Sequence, residues 1–306
     1  MRWLPLLLGA FAAPALAQPT PSRAVCQEFE PQVESELAKS PDSLEINNLF
    51  FQAARKGCEP SLQRLLQAGA SRLARDREGD TALAIAARAG RGAVVEALLA
   101  GASASERRQL DMPDISGSTP LMLAIHAGRA SVARALLEAG ADVDAANAQG
   151  ESPLSEAAYA ADEATGALLL SKGAKADTLD RSGKAPIAYA AARGAARLVG
   201  LMLDAGVDVN AAYGHGLTAA MWAAGFSDLT ATTDAVATLK LLIARGAKLD
   251  SVDDRGRSAL MIAAALNRFE TARVLREAGA DLALRDKSGR TAAELAATDA
   301  MREWLK

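Results

Sequence analysis

One glycine returns along this chain at Gly79, Gly117, Gly150, Gly183, Gly216, Gly256 and Gly289, with gaps of 38, 33, 33, 33, 40 and 33 residues. A fixed period near 33 means a stack of similar units. Each is too small to bury its own apolar face, so a core forms only between neighbours. The clearest unit spans residues 114–147, DISGSTPLMLAIHAGRASVARALLEAGADVDAAN. A turn over 114–117 leads into apolar residues on helical spacing (Leu121, Leu123, Ala124). Gly128 breaks that stretch, and a second one (Val132, Leu136, Leu137) ends at Gly140.

Other columns repeat with the glycine, and each has a physical role. Gly79 and its equivalents allow positive backbone dihedrals in the turn. Thr81, Thr119, Ser152, Thr218, Ser258 and Thr291 stand where a hydroxyl caps a helix, and Pro120, Pro153 and Pro186 follow where a missing amide hydrogen is harmless. Paired alanines such as Ala86-Ala87 and Ala190-Ala191 let helices approach, and Leu pairs such as Leu98-Leu99 and Leu136-Leu137 fill the space between them. Gly101, Gly140, Gly173, Gly206, Gly246 and Gly279 end the second helix of each unit.

At these residues the chain resembles ankyrin-repeat proteins. The resemblance implies an all-α solenoid of helix-turn-helix units with short hairpin fingers, about six full repeats plus degenerate caps. Full repeats are expected to start near Asp76, Asp114, Asn147, Asp180, Tyr213 and Asp253, after a degenerate repeat at 44–75. A truncated one at 286–306 closes the array, with Trp304 and Leu305 over its last apolar face. One family column is lost. The histidine of Thr-Pro-Leu-His is replaced by Ala84, Met122, Ser155, Ala188, Met221, Met261 and Glu294. A hydrogen-bond network centred on that histidine is therefore not expected, and packing must carry more; the methionines are read as core filling. Two insertions stretch the period, at 103–113 in the finger joining two repeats and at 226–237 between the two helices of one repeat.

Residues 1–17 hold one early positive charge (Arg2), an apolar core and an Ala15-Leu16-Ala17 end. They read as a signal peptide cleaved after Ala17. The expected divisions are thus 1–17, an N-terminal helical cap at 18–43 and the array at 44–306. The expected location is the periplasm or outside the cell, without a transmembrane anchor. In an oxidising compartment the two cysteines, Cys26 and Cys58, read as one disulfide pinning the cap to the array. Cys58 falls in the turn between the helices of the first repeat, and Cys26 in a helical segment at 24–38 interrupted by Pro31.

The formal net charge of −3 excludes a strongly basic nucleic-acid binder. No Gly-x-Ser-x-Gly, Cys-x-x-Cys, His-Glu-x-x-His or phosphate loop is present, and His126 and His215 lie far apart in sequence. No catalysis, cofactor or metal is expected, and Asp142 with Asp144 reads as linker polarity. What remains is surface. The resemblance implies a concave face lined by the finger tips and the end of each first helix, where a partner protein is held. Carried over column by column, that face takes Arg77, Arg88, His126, Tyr159, Arg181, Lys184, Arg193, His215, Phe226, Arg255, Arg257 and Arg290. Its C-terminal half reads as basic, favouring a partner with an acidic surface. The apolar residues there are too scattered to imply a dimer. A toxin-neutralising or enzyme-protecting protein using the same face, and a binder of lipid or peptidoglycan surfaces, are the alternatives.

Overall fold

A computed structural model describes residues 23–225 and 230–306. The expected signal peptide and Phe226 lie outside the described residues. The described chain opens with α1 (Arg23–Leu37) and continues as seven helix pairs. These are α2 (Ser43–Lys56) and α3 (Glu59–Gln67), α4 (Ala82–Ala89) and α5 (Gly92–Leu99), α6 (Pro120–His126) and α7 (Ala130–Glu138), and α8 (Pro153–Tyr159) and α9 (Glu163–Ser171). Then come α10 (Pro186–Ala192) and α11 (Ala196–Asp204), α12 (Ala219–Ala224) and α13 (Thr232–Ala244), and α14 (Ala259–Ala265) and α15 (Phe269–Glu277). The short helices α16 (Ala292–Leu295) and α17 (Asp299–Trp304) complete the array.

The capping column does what its chemistry dictates. Thr81, Thr119, Ser152, Thr218, Ser258 and Thr291 each accept a hydrogen bond from the amide three residues on. First helices pack on first helices of the next repeat, and second helices on second helices. The core lies between these two layers. Its small side chains (Ala86, Ala87, Ala190, Ala191) and its Leu side chains (Leu98, Leu136, Leu169) are fully buried.

Fingers project from the layers. Within one of them, β1 (Ala212–Tyr213) pairs antiparallel with β2 (Leu217–Thr218). Each finger also bonds to its neighbour through backbone. Ile115 N–H donates to Glu78 O, Ala148 to Ser116, Arg181 to Gln149, Gly214 to Gly183, Asp254 to His215 and Lys287 to Arg255, at 2.8–3.2 Å. Gly117 shows why the finger glycine is needed: its φ is +83°, and a Cβ there would meet Ala148 N at 2.5 Å. At the opposite end of the helices, Asp111, Asp144, Asn210 and Asp250 accept backbone N–H bonds from Asp142, Lys175, Lys248 and Asp281 of the next repeat. Two rows of hydrogen bonds thus join the repeats at sites away from the lost histidine column.

Three expectations need correction. The α1 helix runs through Pro31 rather than breaking there, because Phe29 and Val33 on either side are both buried in the core. The proline deprives only the exposed Gln27 carbonyl of its helical donor. The insertion at 103–113, expected as extra chain in a finger, contains a 3-10 helix at Glu106–Asp111, because Leu110 is apolar enough to anchor it in the core. Glu106 pairs with Arg72 at 3.1 Å, and Gln109 donates to Leu98 O. Of the insertion at 226–237, Thr232 onward belongs to α13, which gains about one turn over its counterparts and buries Ala235.

The expected Cys26–Cys58 disulfide is present, and it ties α1 to the N-cap of α3. At the other end Leu305 is buried, and the Trp304 ring lies 4.8 Å from that of Phe269. No helix of the described residues is long and apolar enough to cross a membrane.

Candidate functional site

The fingers and the exposed side of the first helices form one inner face, and every finger but the one opening at Tyr213, which carries the β1–β2 pair, is stiffened by its own first residue. Asp76, Asp114, Asn147, Asp180, Asp253 and Asp286 each accept, through Oδ1, the amides two and four residues on. That side-chain turn closes the tip and fixes where the next side chains emerge.

Three regions follow along the face. In the first, Arg88 at the end of α4 sits between two fingers. Its Nη1 lies 2.7 Å from Asp80 Oδ2, its Nη2 donates to Asp80 Oδ1 at 3.1 Å, and Asp114 Oδ2 is 3.6 Å away. Burial pushes the Asp80 carboxyl up, against the opposing pull of Arg88. One repeat on, His126 Nδ1 lies 3.3 Å from Glu156 Oε2. The hydrogen bond with Glu156 raises His126 above the ordinary histidine value despite partial burial. The sign follows directly. Stabilisation by this pair is fully present below about pH 6.5 and is lost as pH rises through the raised value. NMR titration should place His126 above an unstructured histidine, and Glu156→Gln should bring it back down; an unshifted midpoint in both proteins would count against the pair.

The middle region is aromatic and cationic. Tyr159 and Tyr189, on neighbouring first helices, meet edge-on with centroids 6.1 Å apart. Lys184 Nζ stands 5.3 Å from the Tyr189 ring and 5.7 Å from that of Trp222. Arg193 donates through Nε to Tyr159 O at 2.9 Å, and its guanidinium lies over the Tyr159 ring. The Tyr189 hydroxyl donates to Asp180 Oδ2. Burial pushes Asp180 up, yet bonds from Tyr189, from the Lys184 amide and from Ser182 outweigh it and hold its carboxyl below the usual range. The Tyr189 phenol is pushed far above its usual range by burial and by that carboxylate.

In the third region the guanidinium of Arg257 binds Asp253 Oδ2 through Nε (3.0 Å) and Nη2 (2.7 Å), and Arg290 holds Asp286 in the same way at 3.2 and 2.9 Å. Between the last two fingers lies a groove of about 470 Å³.

Of the twelve residues expected on this face, Phe226 lies outside the described residues, Arg88, His126, Tyr159 and Arg193 stand at the ends of first helices, and Arg77, Arg181, Lys184, His215, Arg255, Arg257 and Arg290 stand on fingers. They are not equivalent. Arg257 and Arg290 belong to the half of the face that reads as basic in sequence, but each is neutralised inside its own finger. The surplus positive charge belongs to Arg181, Lys184, Arg255 and Lys287, which make no ion pair among the described residues. Arg77 and His215 are exposed finger residues, and the His215 side chain is 90% exposed with Asp254 3.9 Å away. Sequence reasoning missed Tyr189 and Trp222. Their column, six residues past the turn glycine, holds buried Ile85, Leu123 and Ile262 in other repeats and therefore reads as core. Glu156 in that column was the available signal that it opens onto the inner face.

Among the described residues no group of three or more His, Cys, Asp and Glu side chains converges as a metal set. No curated protein matches the chain. The family model described as ankyrin repeats (3 copies) matches residues 50–147, 100–180, 127–213 and 229–305. Ankyrin repeats are in general protein–protein interaction modules and typically non-catalytic scaffolds. With those matches spanning most of its length and helix pairs that follow the same period, the chain belongs to the ankyrin-repeat family.

Proposed function

We propose that this protein is a non-catalytic scaffold, exported to the periplasm, that holds a partner protein on its inner face. The observation that carries the reading is the middle region, where Tyr159, Tyr189 and Trp222 line up across three repeats with Lys184 and Arg193 among them. Trp, Tyr and Arg are the side chains that dominate binding energy at protein interfaces. Lys184, with no ion pair, adds a charge that favours an acidic partner surface and speeds encounter with it. The disulfide supports an oxidising compartment. Neutralising a toxin or shielding an enzyme would use the same face.

Crosslinking in the native envelope followed by mass spectrometry identifies the partner. Reversing Arg181, Arg255 and Lys287 together to Glu should then weaken its affinity by about tenfold or more at low salt, with a shrinking effect as salt rises. Unchanged affinity at low salt would end the electrostatic part of the reading.

A further inference from the structure

The groove between the last two fingers opens over a small side chain. Nine residues past the turn glycine, the first three full repeats carry the large side chains of Arg88, His126 and Tyr159, and the next two carry Ala192 and Gly225. The equivalent residue here is Ala265, and the groove opens over it, with Leu295 beside it and Arg255, Arg257, Lys287 and Arg290 on its walls. Its lining thus combines apolar Ala265 and Leu295 with these four cations and the carboxylates of Asp254, Asp286 and Glu294.

The charges around it nearly cancel, and the remainder is informative. Asp253 is taken up by Arg257, Asp286 by Arg290, and Glu294 by Arg285 at 3.3 Å and by the Thr291 amide. Among the described residues Asp254 has only His215, 3.9 Å away. Arg255 and Lys287 therefore face a single weakly engaged carboxylate, which leaves a surplus of one positive charge. Arg257 and Arg290 use Nε and Nη2 on their own aspartates, so each guanidinium is already oriented while Nη1 has no partner among the described residues. An ordered fork with a free N–H edge is suited to a carboxylate.

We infer that this groove receives one glutamate side chain from an extended segment of the partner protein. The carboxylate meets the free guanidinium edges with Arg255 and Lys287, and the aliphatic stem lies on Ala265 and Leu295. A dianionic phosphate or a run of acids brings more negative charge than the surplus, against Asp254 and Asp286 close by. The inference rests on the inner face being the binding surface, and it names the group taken at one end of it.

The test uses the full chain and short peptides, acetylated and amidated, that differ at one central residue: Glu, Gln or phosphoserine. A fourth peptide has Gln at the centre and a free C-terminal carboxylate. The Glu peptide should give saturable NMR shifts at Ala265, Ser288 and Leu295, with the other three weaker by about tenfold, the step expected for losing or misplacing a charged contact. Ala265→Tyr, which restores the residue type of Tyr159 and fills the groove, should abolish the response. Equal binding of Glu and Gln, preference for phosphoserine or for the free C-terminus, or a response that survives Ala265→Tyr would each overturn the inference. With the captured partner, Ala265→Tyr should weaken binding. If it does not while Trp222→Ala does, the groove is refuted and the inner face stands; if neither does, the inner-face reading itself falls.

Discussion

Replacing both Cys26 and Cys58 with serine should lower the stability of the N-terminal end by about 3–4 kcal/mol. The two residues are 32 apart in sequence, and closing a loop of that length removes chain entropy from the unfolded state by about that amount. How the loss spreads follows from the architecture. In a stack where each repeat touches only its neighbours, stability is a sum of local terms. The α1 helix is held by the disulfide together with Phe29 and Val33, which are packed in the core near Cys58. Hydrogen exchange of the serine variant should therefore show deprotection over residues 23–67, with α8 to α15 unchanged. Uniform deprotection of the whole array would mean that the repeats unfold as a single unit. Unchanged protection at 23–67 would mean that packing alone holds the cap.

The second large effect is on binding. Trp222→Ala should weaken the captured partner by about 2 kcal/mol or more, a factor of about thirty, because large aromatic side chains at the centre of an interface carry most of its energy. Trp222 lies on α12, in the sixth of the seven helix pairs, is partly exposed, and stands beside Lys184. Its neighbours Ala223 and Ala224 are fully buried and keep α12 in place, so helix content by circular dichroism should remain that of the parent. Tyr189→Phe separates two roles of the neighbouring ring. It keeps the ring but removes the hydroxyl that donates to Asp180, so a drop in affinity there reports a loosened finger rather than lost contact area. A Trp222→Ala protein that binds as well as the parent would move the centre of the interface elsewhere.

Much of this architecture is legible from single residues. Thr119 followed by Pro120, and Ser152 followed by Pro153, announce helix starts without any coordinates, because a hydroxyl acceptor and an absent amide hydrogen act within one turn. Alanine pairs and Leu pairs give the packing faces for the same local reason. The parts not legible depend on distance in space. Arg257 looks like a free cation in sequence, yet its finger folds so that Asp253, four residues earlier, takes its guanidinium. Tyr189 and Trp222 sit in a column that is core in three other repeats, and only the opening of the inner face between neighbouring fingers exposes them. Likewise, Leu110 gives the insertion at 103–113 an anchor, but whether an apolar residue in an insertion finds a core depends on what lies beneath it.

Hydrogen-exchange footprinting of the protein with its captured partner tests the assignment of the inner face most directly. Protection is expected on the fingers and first helices from Asn147 to Leu295, strongest at Tyr159, Tyr189 and Lys184, with α9, α11 and α13 unchanged. Protection of those second helices, with the fingers left as free as in the unbound protein, would contradict it.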